Sequence, residues 1–382
     1  MSLRALTRLP LLGQSFRTPL RASFQPLSRT VRHYASLSPD APPPTRPYDV
    51  FDEEGKARQR DRAVIRLREA TAAGEISGPE VLDYLREEVA DRLAERVEDL
   101  KTPPSVILDL SSHAGQLTRI LQDVLGDKLP PSEEAAGVVG TGRRRWIMVD
   151  ASGKLASADG LTIGEALNRD DDGTFAYPPE RIQAPVGEFL AQPQVAELKE
   201  TIDCVVSAGG LNWVGDIVGA FTQIRHLLKP DGVFIGAVLG GDTLFELRTS
   251  LQLAEQERRG GIANRVSPMI NTTDAPSLLN RSGFTLTTVD TDEVTINFPS
   301  MWELIADLRD MGESNAILGR RPQIPRDVLL AAEAIYKELY GNEDGSVPAT
   351  FQIIFFIGWK PGPNQPKPLA RGSAKTNLKD VL

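Results

Sequence analysis

Short apolar runs alternate with helical stretches from Val106 onward, and this alternation constrains the fold more than any other feature of the chain. Each run is short and apolar throughout, as expected of a strand buried on both faces of a parallel sheet. Helices are predicted between the runs, which indicates a doubly wound α/β sheet. The predicted strands are Val106–Leu110, Trp146–Asp150, Ile202–Ser207 and Val233–Leu239, and the helices are Leu117–Leu125 and Ile217–Leu228.

The regions on either side of this alternation are richer in helix. Two helices are predicted upstream, near Asp52–Ala72 and Pro79–Leu100, and Pro103-Pro104 ends the second. Pro230-Asp231-Gly232 predicts a turn before the strand that begins at Val233. After Gly240 the predicted strands are Leu286–Val294 and Thr350–Trp359, and the predicted helices are Thr243–Arg258, Ala275–Arg281, Met301–Met311 and Arg326–Tyr340.

The N-terminus has a different composition from the rest. Residues 1–34 contain six arginines and no acidic residue, which is typical of a mitochondrial transit peptide. Arg32-His33-Tyr34 followed by Ala35-Ser36 resembles a matrix-protease cleavage site. A basic tail, or an anchor on an anionic membrane, is the alternative. We therefore expect a matrix protein with a transit peptide at 1–34, a proline-rich linker at 35–50, an N-terminal helical region at 51–103, an α/β domain at 104–360 and a disordered tail at 361–382, with surface excursions at 130–142 and 157–179.

Charge and cysteine content exclude several classes of function. Removal of residues 1–34 lowers Lys+Arg from 43 to 37 and leaves Asp+Glu at 52, so the formal net charge changes from −9 to −15. A domain this acidic is a poor binder of nucleic acid phosphates. The single cysteine, Cys204, excludes an intramolecular disulfide and a multi-cysteine metal site. No paired-histidine metal motif and no membrane-spanning apolar run is visible, although peripheral contact with the inner membrane stays open.

The first strand and its turn carry the strongest motif. The sequence VILDLSSHAG at residues 106–115 resembles motif I of class I methyltransferases, whose pattern is Asp-Leu-Gly-x-Gly-x-Gly. Asp109 stands at the acid and Gly115 at the last glycine, whereas Ser111 and His113 replace the first two glycines. The resemblance implies a Rossmann-like class I fold that binds S-adenosyl-L-methionine, with an antiparallel last strand, N-terminal helices and lid helices. It assigns cofactor binding to Asp109, Ser111 and Gly115.

Further positions match the same pattern. Asp150 ends the second strand, where a carboxylate can accept hydrogen bonds from both ribose hydroxyls. The resemblance places Ser207, at the end of the fourth strand, and Asn212, after it, against the cofactor. The family usually has an acid that contacts the adenine amine, and Val186 occupies that place here. The sequence thus departs from the pattern at both motif I and the adenine position.

Several segments resemble one subfamily more closely. They run from about Phe51 to about Ser373 and include GGDTLFELR at 240–248, MGESN at 311–315 and NEDGSVPAT at 342–350. Together they resemble the mitochondrial assembly factor of respiratory complex I that has a methyltransferase fold and is described as a protein arginine hydroxylase. The resemblance implies a matrix-arm subunit near the quinone site as substrate and partner. The residues do not indicate which group, iron or flavin, would activate oxygen.

An arginine substrate needs carboxylates, because guanidinium groups pair with them bidentately. Four acids near the expected substrate rim are candidates: Asp242, Glu246, Glu303 and Glu313. We expect Asp242 and Glu313 to be catalytic, since their surrounding segments match the subfamily best. Asp242 is alternatively an N-cap for the helix predicted at Thr243.

Three functions remain open from the sequence. The first is arginine hydroxylation during complex I assembly. The second is methyl transfer from S-adenosylmethionine to a protein or a carboxyl group, as in the related bacterial enzyme that methylates the carboxyl of an acyl-carrier-protein thioester. The third is a non-catalytic assembly chaperone that has kept the fold.

Overall fold

A seven-stranded sheet organises the chain, in the order β3-β2-β1-β4-β5-β7-β6. The computed structural model describes residues 50–73, 83–126, 144–153, 177–321 and 323–366. Strands β1 to β5 are parallel, and β7 is antiparallel to both of its neighbours. The doubly wound sheet with an antiparallel last strand is therefore confirmed. The strands are β1 Val106–Leu110, β2 Arg145–Asp150, β3 Glu180–Gln183, β4 Ile202–Ala208, β5 Leu228–Leu239, β6 Thr285–Phe298 and β7 Val347–Trp359.

Nine helices accompany these strands in the part of the chain that the structure describes. The predicted bounds of α7 and α9 agree with the structure to the residue, those of the other predicted helices agree within a few residues at each end, and the short α4 was not predicted. The helices are α1 Glu53–Ala73, α2 Tyr84–Glu98, α3 Gln116–Leu125, α4 Pro193–Ala196, α5 Ile217–Leu227, α6 Phe245–Arg259, α7 Ala275–Arg281, α8 Met301–Asp310 and α9 Arg326–Tyr340.

Some expectations lie outside the described residues. They are the transit peptide at 1–34, nearly all of the linker at 35–50, most of the two surface excursions and most of the tail at 361–382. Within the described ranges, no helix is both long enough and apolar enough to cross a membrane.

The burial pattern of each strand explains its sequence. All five residues of β1 are buried, because β1 pairs on both sides and is covered on both faces. Its side chains alternate between two apolar clusters, with Leu108 in one and Ile107 in the other. A third cluster joins α6, α8 and α9 to the start of β7. Strand β6 alternates instead between half-buried and exposed residues, since it has a neighbour on one side alone among the described strands.

The turn predicted at 230–232 is present as an irregularity within a strand, although the strand was expected to begin only at Val233. These residues lie inside β5, which begins at Leu228. The pairing of β4 with β5 shifts register between Ile202 and Cys204, and Asp231 has a φ of 65°. The end of β7 also binds this segment, since the amide of Lys360 donates to the carbonyl of Gly232 at 2.8 Å. The Pro-Asp-Gly signal marks an irregularity within the strand, where the left-handed backbone of Asp231 interrupts the extended conformation.

A substitution of Phe356 in β7 tests the aromatic packing against one face of the sheet. Its ring lies 5.4 Å from that of Phe234 and 5.5 Å from that of Phe221, and only 2% of the residue is exposed. We expect Phe356→Ala to lower the free energy of unfolding by about 3–5 kcal/mol through lost contacts and a cavity. Urea unfolding followed by circular dichroism measures this. The control Leu330→Ala, at a residue 62% exposed, should change stability by no more than about 0.5 kcal/mol; equal losses in the two variants would contradict this packing.

Candidate active site

The loop between β1 and α3 keeps a glycine-like backbone although two of the expected glycines are absent. Ser111, His113 and Gly115 have φ values of 58°, 52° and 92°. These are the three positions that motif I fills with glycine. The left-handed conformation costs an L-residue roughly 1–2 kcal/mol, so both substitutions are held in place by the surrounding structure. Gly210 packs directly against the loop, because a Cβ there would lie 2.0 Å from that of Ser111.

Two buried carboxylates flank this loop. One oxygen of Asp109 accepts a 2.7 Å hydrogen bond from the hydroxyl of Thr118, and its other oxygen has no partner in the structure. Burial raises the pKa of Asp109 to about 7. Asp150 ends β2 and accepts backbone N–H groups from His113, at 3.1 Å, and from Ser152, at 2.8 Å. The predicted cofactor acid therefore also fixes the loop that faces it.

His113 brings a neutral imidazole into the site. The residue is 4% exposed, and its Nε2 has no hydrogen-bond partner in the structure. Burial, reinforced by the positive charges of Arg86, Arg60 and Lys56, lowers the pKa of His113 well below its usual range. The side chain therefore stays uncharged at neutral pH, next to three cations.

Helix α1 lies across the loop and carries two of these cations. The guanidinium of Arg60 donates to the hydroxyl of Ser111 at 3.0 Å and lies 3.8 Å from a carboxylate oxygen of Asp150. Four residues earlier, the ammonium of Lys56 donates to the carbonyls of Gly312 and Ser314. The same ammonium lies 3.3 Å from the centroid of the Trp213 ring.

Glu313 is the centre of this cluster. Its carboxylate accepts a 2.9 Å hydrogen bond from Arg86 of α2, a 2.7 Å bond from the indole N–H of Trp213 and a 3.3 Å bond from Lys56. Burial alone raises the pKa of a carboxyl group. The positive charges of Lys56, Arg86 and Arg60 outweigh this effect and lower the pKa of Glu313 to about 2. Glu313 is therefore ionised across the physiological range and is held by a guanidinium, an ammonium and an indole.

The other acids proposed for the substrate have different surroundings. Asp242 is exposed and accepts a 2.9 Å hydrogen bond from the amide of Gln352 in β7. It does not cap the next helix, because α6 begins at Phe245 and its N-cap is Leu244; the N-cap alternative is wrong. Glu246 is buried and binds the hydroxyl and amide of Thr350. Glu303 accepts a hydrogen bond from Ser300, at the start of α8.

The residues predicted after β4 are engaged within the sheet. The hydroxyl of Ser207 donates to the carbonyl of Leu110 at 2.8 Å. The side-chain oxygen of Asn212 accepts the amide of Leu239 at 2.8 Å. Both bonds join the carboxyl ends of neighbouring strands at the edge where the site lies. Their assignment to the cofactor, like that of Asp109, Ser111, Gly115 and Asp150, stays a prediction.

Sequence reasoning missed the contributions of α1 and α2. Lys56, Arg60 and Arg86 were assigned no role, although their four-residue spacing places the first two on one helix face. An acid of α1 also reaches the segment around Val186, where the resemblance expects the adenine. Val186 is buried there, but a Cβ on Gly187 would lie 2.4 Å from a carboxylate oxygen of Glu53. The only signal for these residues was the position of charged residues on a predicted helix near Phe51.

Histidine, cysteine and carboxylate groups do not form a metal cluster in the described part of the chain. The site is thus built from two acids that flank the loop, one neutral imidazole and a charged cluster around Glu313.

Comparison with known proteins identifies the family. No family model matches the chain. The chain is 39% identical over 359 residues to the mitochondrial arginine-hydroxylase NDUFAF5 of Danio rerio, a match that covers 94% of this chain and 95% of the relative. The chain belongs to the NDUFAF5 arginine-hydroxylase family. Its relatives in Homo sapiens and Dictyostelium discoideum are also named mitochondrial.

The scaffold of this NDUFAF5-family enzyme is the class I methyltransferase fold. The order of its seven strands, with β7 antiparallel between β5 and β6, fits that fold. The chain is also 26% identical over 302 residues to a malonyl-[acyl-carrier protein] O-methyltransferase of Methylovorus, with coverage of 79% of this chain and 90% of that one. A putative methyltransferase of Bacillus halodurans superposes with a TM-score of 0.44 at 13% identity, over 71% of this chain and 98% of that one.

Glu313→Gln tests the charged cluster. The variant leaves Lys56 and Arg86 buried without their carboxylate, so we expect a loss of roughly 3–5 kcal/mol in the free energy of unfolding at pH 7. The folded pKa of about 2 lies below the ordinary value of 4.5. The stabilisation by Glu313 is therefore complete above pH 4.5 and is lost as the pH falls towards 2.

The measurement is denaturant unfolding of both proteins from pH 7 down to pH 2. The difference between wild type and Glu313→Gln should shrink through the acid range. Glu338→Gln, on an exposed part of α9, is the matched control and should track wild type. A constant difference at all pH values would show that Glu313 is not ionised in the folded state.

Proposed function

We propose that this protein hydroxylates an arginine of a matrix-arm subunit of complex I, near the quinone site, during assembly of the complex in the mitochondrial matrix. The observation that carries the proposal is Glu313. It is ionised, lies at the carboxyl edge of the sheet and already binds a guanidinium, that of Arg86, at 2.9 Å. A carboxylate that holds one guanidinium in this geometry is suited to hold another.

The reaction replaces one C–H bond of the substrate arginine by C–OH. With dioxygen as the oxidant, one oxygen atom enters the product and the other leaves as water. Two electrons and two protons must therefore come from a separate reductant. The residues of this chain bind and orient the substrate: Glu313 pairs with the guanidinium, and the indole N–H of Trp213 fixes the carboxylate. The Trp213 ring packs edge-on against Phe51, with 5.5 Å between the ring centroids, which holds the indole in place.

S-adenosylmethionine fits one end of the site. The loop at 111–115 keeps the left-handed backbone of motif I, and the unpartnered oxygen of Asp109 and Nε2 of His113 are polar atoms that a bound ligand would satisfy. Asp150 would hold the ribose hydroxyls, and Glu53 would lie nearest the adenine. When bound, S-adenosylmethionine supplies a transferable methyl group. For that reason methyl transfer is the second candidate function, favoured by the retained loop geometry.

Peptide mass spectrometry distinguishes these functions. We compare the matrix-arm subunits of complex I from cells with the wild-type chain, with Glu313→Gln and without the chain. Hydroxylation predicts an arginine peptide that loses the mass of one oxygen in both altered strains. Loss of the mass of a methylene group identifies methyl transfer instead. Unchanged peptides together with a failure to assemble complex I favour a chaperone and contradict the proposal.

Ligand-dependent stabilisation tests the adenosyl site. S-adenosylhomocysteine at 100 times its dissociation constant should stabilise the full chain by about 2.7 kcal/mol, and Asp150→Asn should remove most of that effect by weakening the ribose contact. Asp292→Asn, on β6 and paired with Arg92, is the control and should keep it. Absence of stabilisation in the wild-type protein at high ligand concentration would exclude the site.

A further inference from the structure

One stripe of α1 contacts both carboxylates of the candidate site. Lys56, Arg60 and Val64 are spaced four residues apart, which places them on one face of the helix, and all three are buried. Arg60 lies at Asp150 and Lys56 lies at Glu313. Asp150 is the acid proposed for the ribose, and Glu313 is the acid proposed for the substrate guanidinium. A single helix therefore occupies both ends of the site.

The attachment of α1 is polar. The three apolar clusters of the protein contain none of the α1 side chains that the structure describes. Val64 is the only apolar residue among the buried α1 side chains described. Several buried polar atoms at this contact lack a partner, namely Gln59 Oε1, Arg60 Nε and, across from them, His113 Nε2. Segments that bury little apolar surface open at low free-energy cost, and buried unpartnered polar atoms lower that cost further.

The cationic side chain of Lys56 binds the same carboxylate that is proposed to bind the cationic guanidinium of the substrate. Lys56 places an ammonium on Glu313 beside the guanidinium of Arg86. Burial lowers the pKa of Lys56 to about 7, so holding its charge here is costly. A substrate guanidinium would bind the same carboxylate with two donors instead of one, which is the stronger geometry.

We propose that α1 is an internal occupant of the active site, and that it withdraws as one unit to give a nucleoside access to Asp150 and a guanidinium access to Glu313. The role of these two ligands rests on the function proposed above. The withdrawal itself is a property of the ligand-free chain. Because the same helix blocks both carboxylates, a ligand bound at one of them favours binding at the other.

A disulfide that holds α1 closed provides the test. Phe51 and Ile317 form an antiparallel bridge, and their neighbours make both flanking hydrogen bonds, from Asp52 to Ala316 at 2.7 Å and from Leu318 to Val50 at 3.0 Å. The two residues are therefore a non-hydrogen-bonded pair, with Cα atoms about 4.5 Å apart. This separation permits a disulfide. The native Cys204 is buried in the core and does not compete.

The experiment measures hydrogen–deuterium exchange in the full chain carrying Phe51→Cys and Ile317→Cys, without ligand, oxidised and then reduced. We expect the oxidised form to exchange at least about tenfold more slowly at residues 53–66 and at 111–115 together, since a shared opening limits both segments. Equal exchange of the loop at 111–115 in the two forms would overturn the proposal. Comparison within one double variant removes the effect of losing the Phe51 ring.

The variant Lys56→Met weakens the contact between α1 and the site, whereas the disulfide strengthens it. This variant should exchange at least about fivefold faster than wild type at both segments, because one of the polar contacts that hold α1 in the site is gone. Arg58→Met is the matched control on the exposed side of the same helix and should match wild type. Faster exchange in α1 without any change at 111–115 would contradict a concerted withdrawal.

A measurement of ligand binding distinguishes a failure of this proposal from a failure of the proposed function. S-adenosylhomocysteine should bind the reduced double variant and lose at least about tenfold in affinity on oxidation. The apparent affinity of a ligand falls in proportion to the fraction of the protein that is open to it. If neither form binds the nucleoside while exchange behaves as expected, the adenosyl site is wrong and the withdrawal of α1 stands. If both forms bind it equally, the withdrawal is unnecessary and the proposal falls.

Discussion

The buried carboxylate of Glu313 holds together parts of the chain that are far apart in sequence. It collects donors from α1, from α2 and from the segment that follows β4, through Lys56, Arg86 and Trp213. A buried charge without partners costs several kcal/mol, so each of these elements constrains the position of the others. Helix α1 is consequently held at this edge of the sheet chiefly by polar contacts, whereas α2 also packs an apolar face that includes Val89 and Leu93 into a core cluster. In the proposed function, stability and substrate binding depend on the same carboxylate.

The loop between β1 and α3 shows a second constraint of the same kind. Ser111 and His113 adopt a backbone conformation that glycine adopts freely. Strained conformations persist where the surroundings determine them, and they cluster at functional sites. Here the surroundings are Asp150, which binds the amide of His113, and Gly210, which leaves room for Ser111. The left-handed backbone of this loop is thus held by tertiary contacts at two positions that carry side chains.

Much of the fold could be predicted from local sequence, and the site only in part. The bounds of β1 agree to the residue because an apolar run of five residues, buried on both faces, has few alternatives. Strand β3, with the sequence ERIQ, gave no apolar signal and was missed. The acids at strand ends were found because parallel topology fixes their place. The cations around Glu313 were not, since Lys56 meets its carbonyl partner in a contact that spans 256 residues of sequence and leaves no local pattern.

Strand β6 has a consequence for how the protein behaves in concentrated solution. It is fourteen residues long and has a neighbour on one side alone among the described strands. A long free edge of this kind is a template on which strands of other chains add, and such addition leads to aggregation. Asp290 and Asp292 place negative charge along β6, and Arg96 and Arg92 of α2 pair with them. Charged side chains along an edge strand oppose the addition of a further strand, so these ion pairs make β6 a poorer template for self-association.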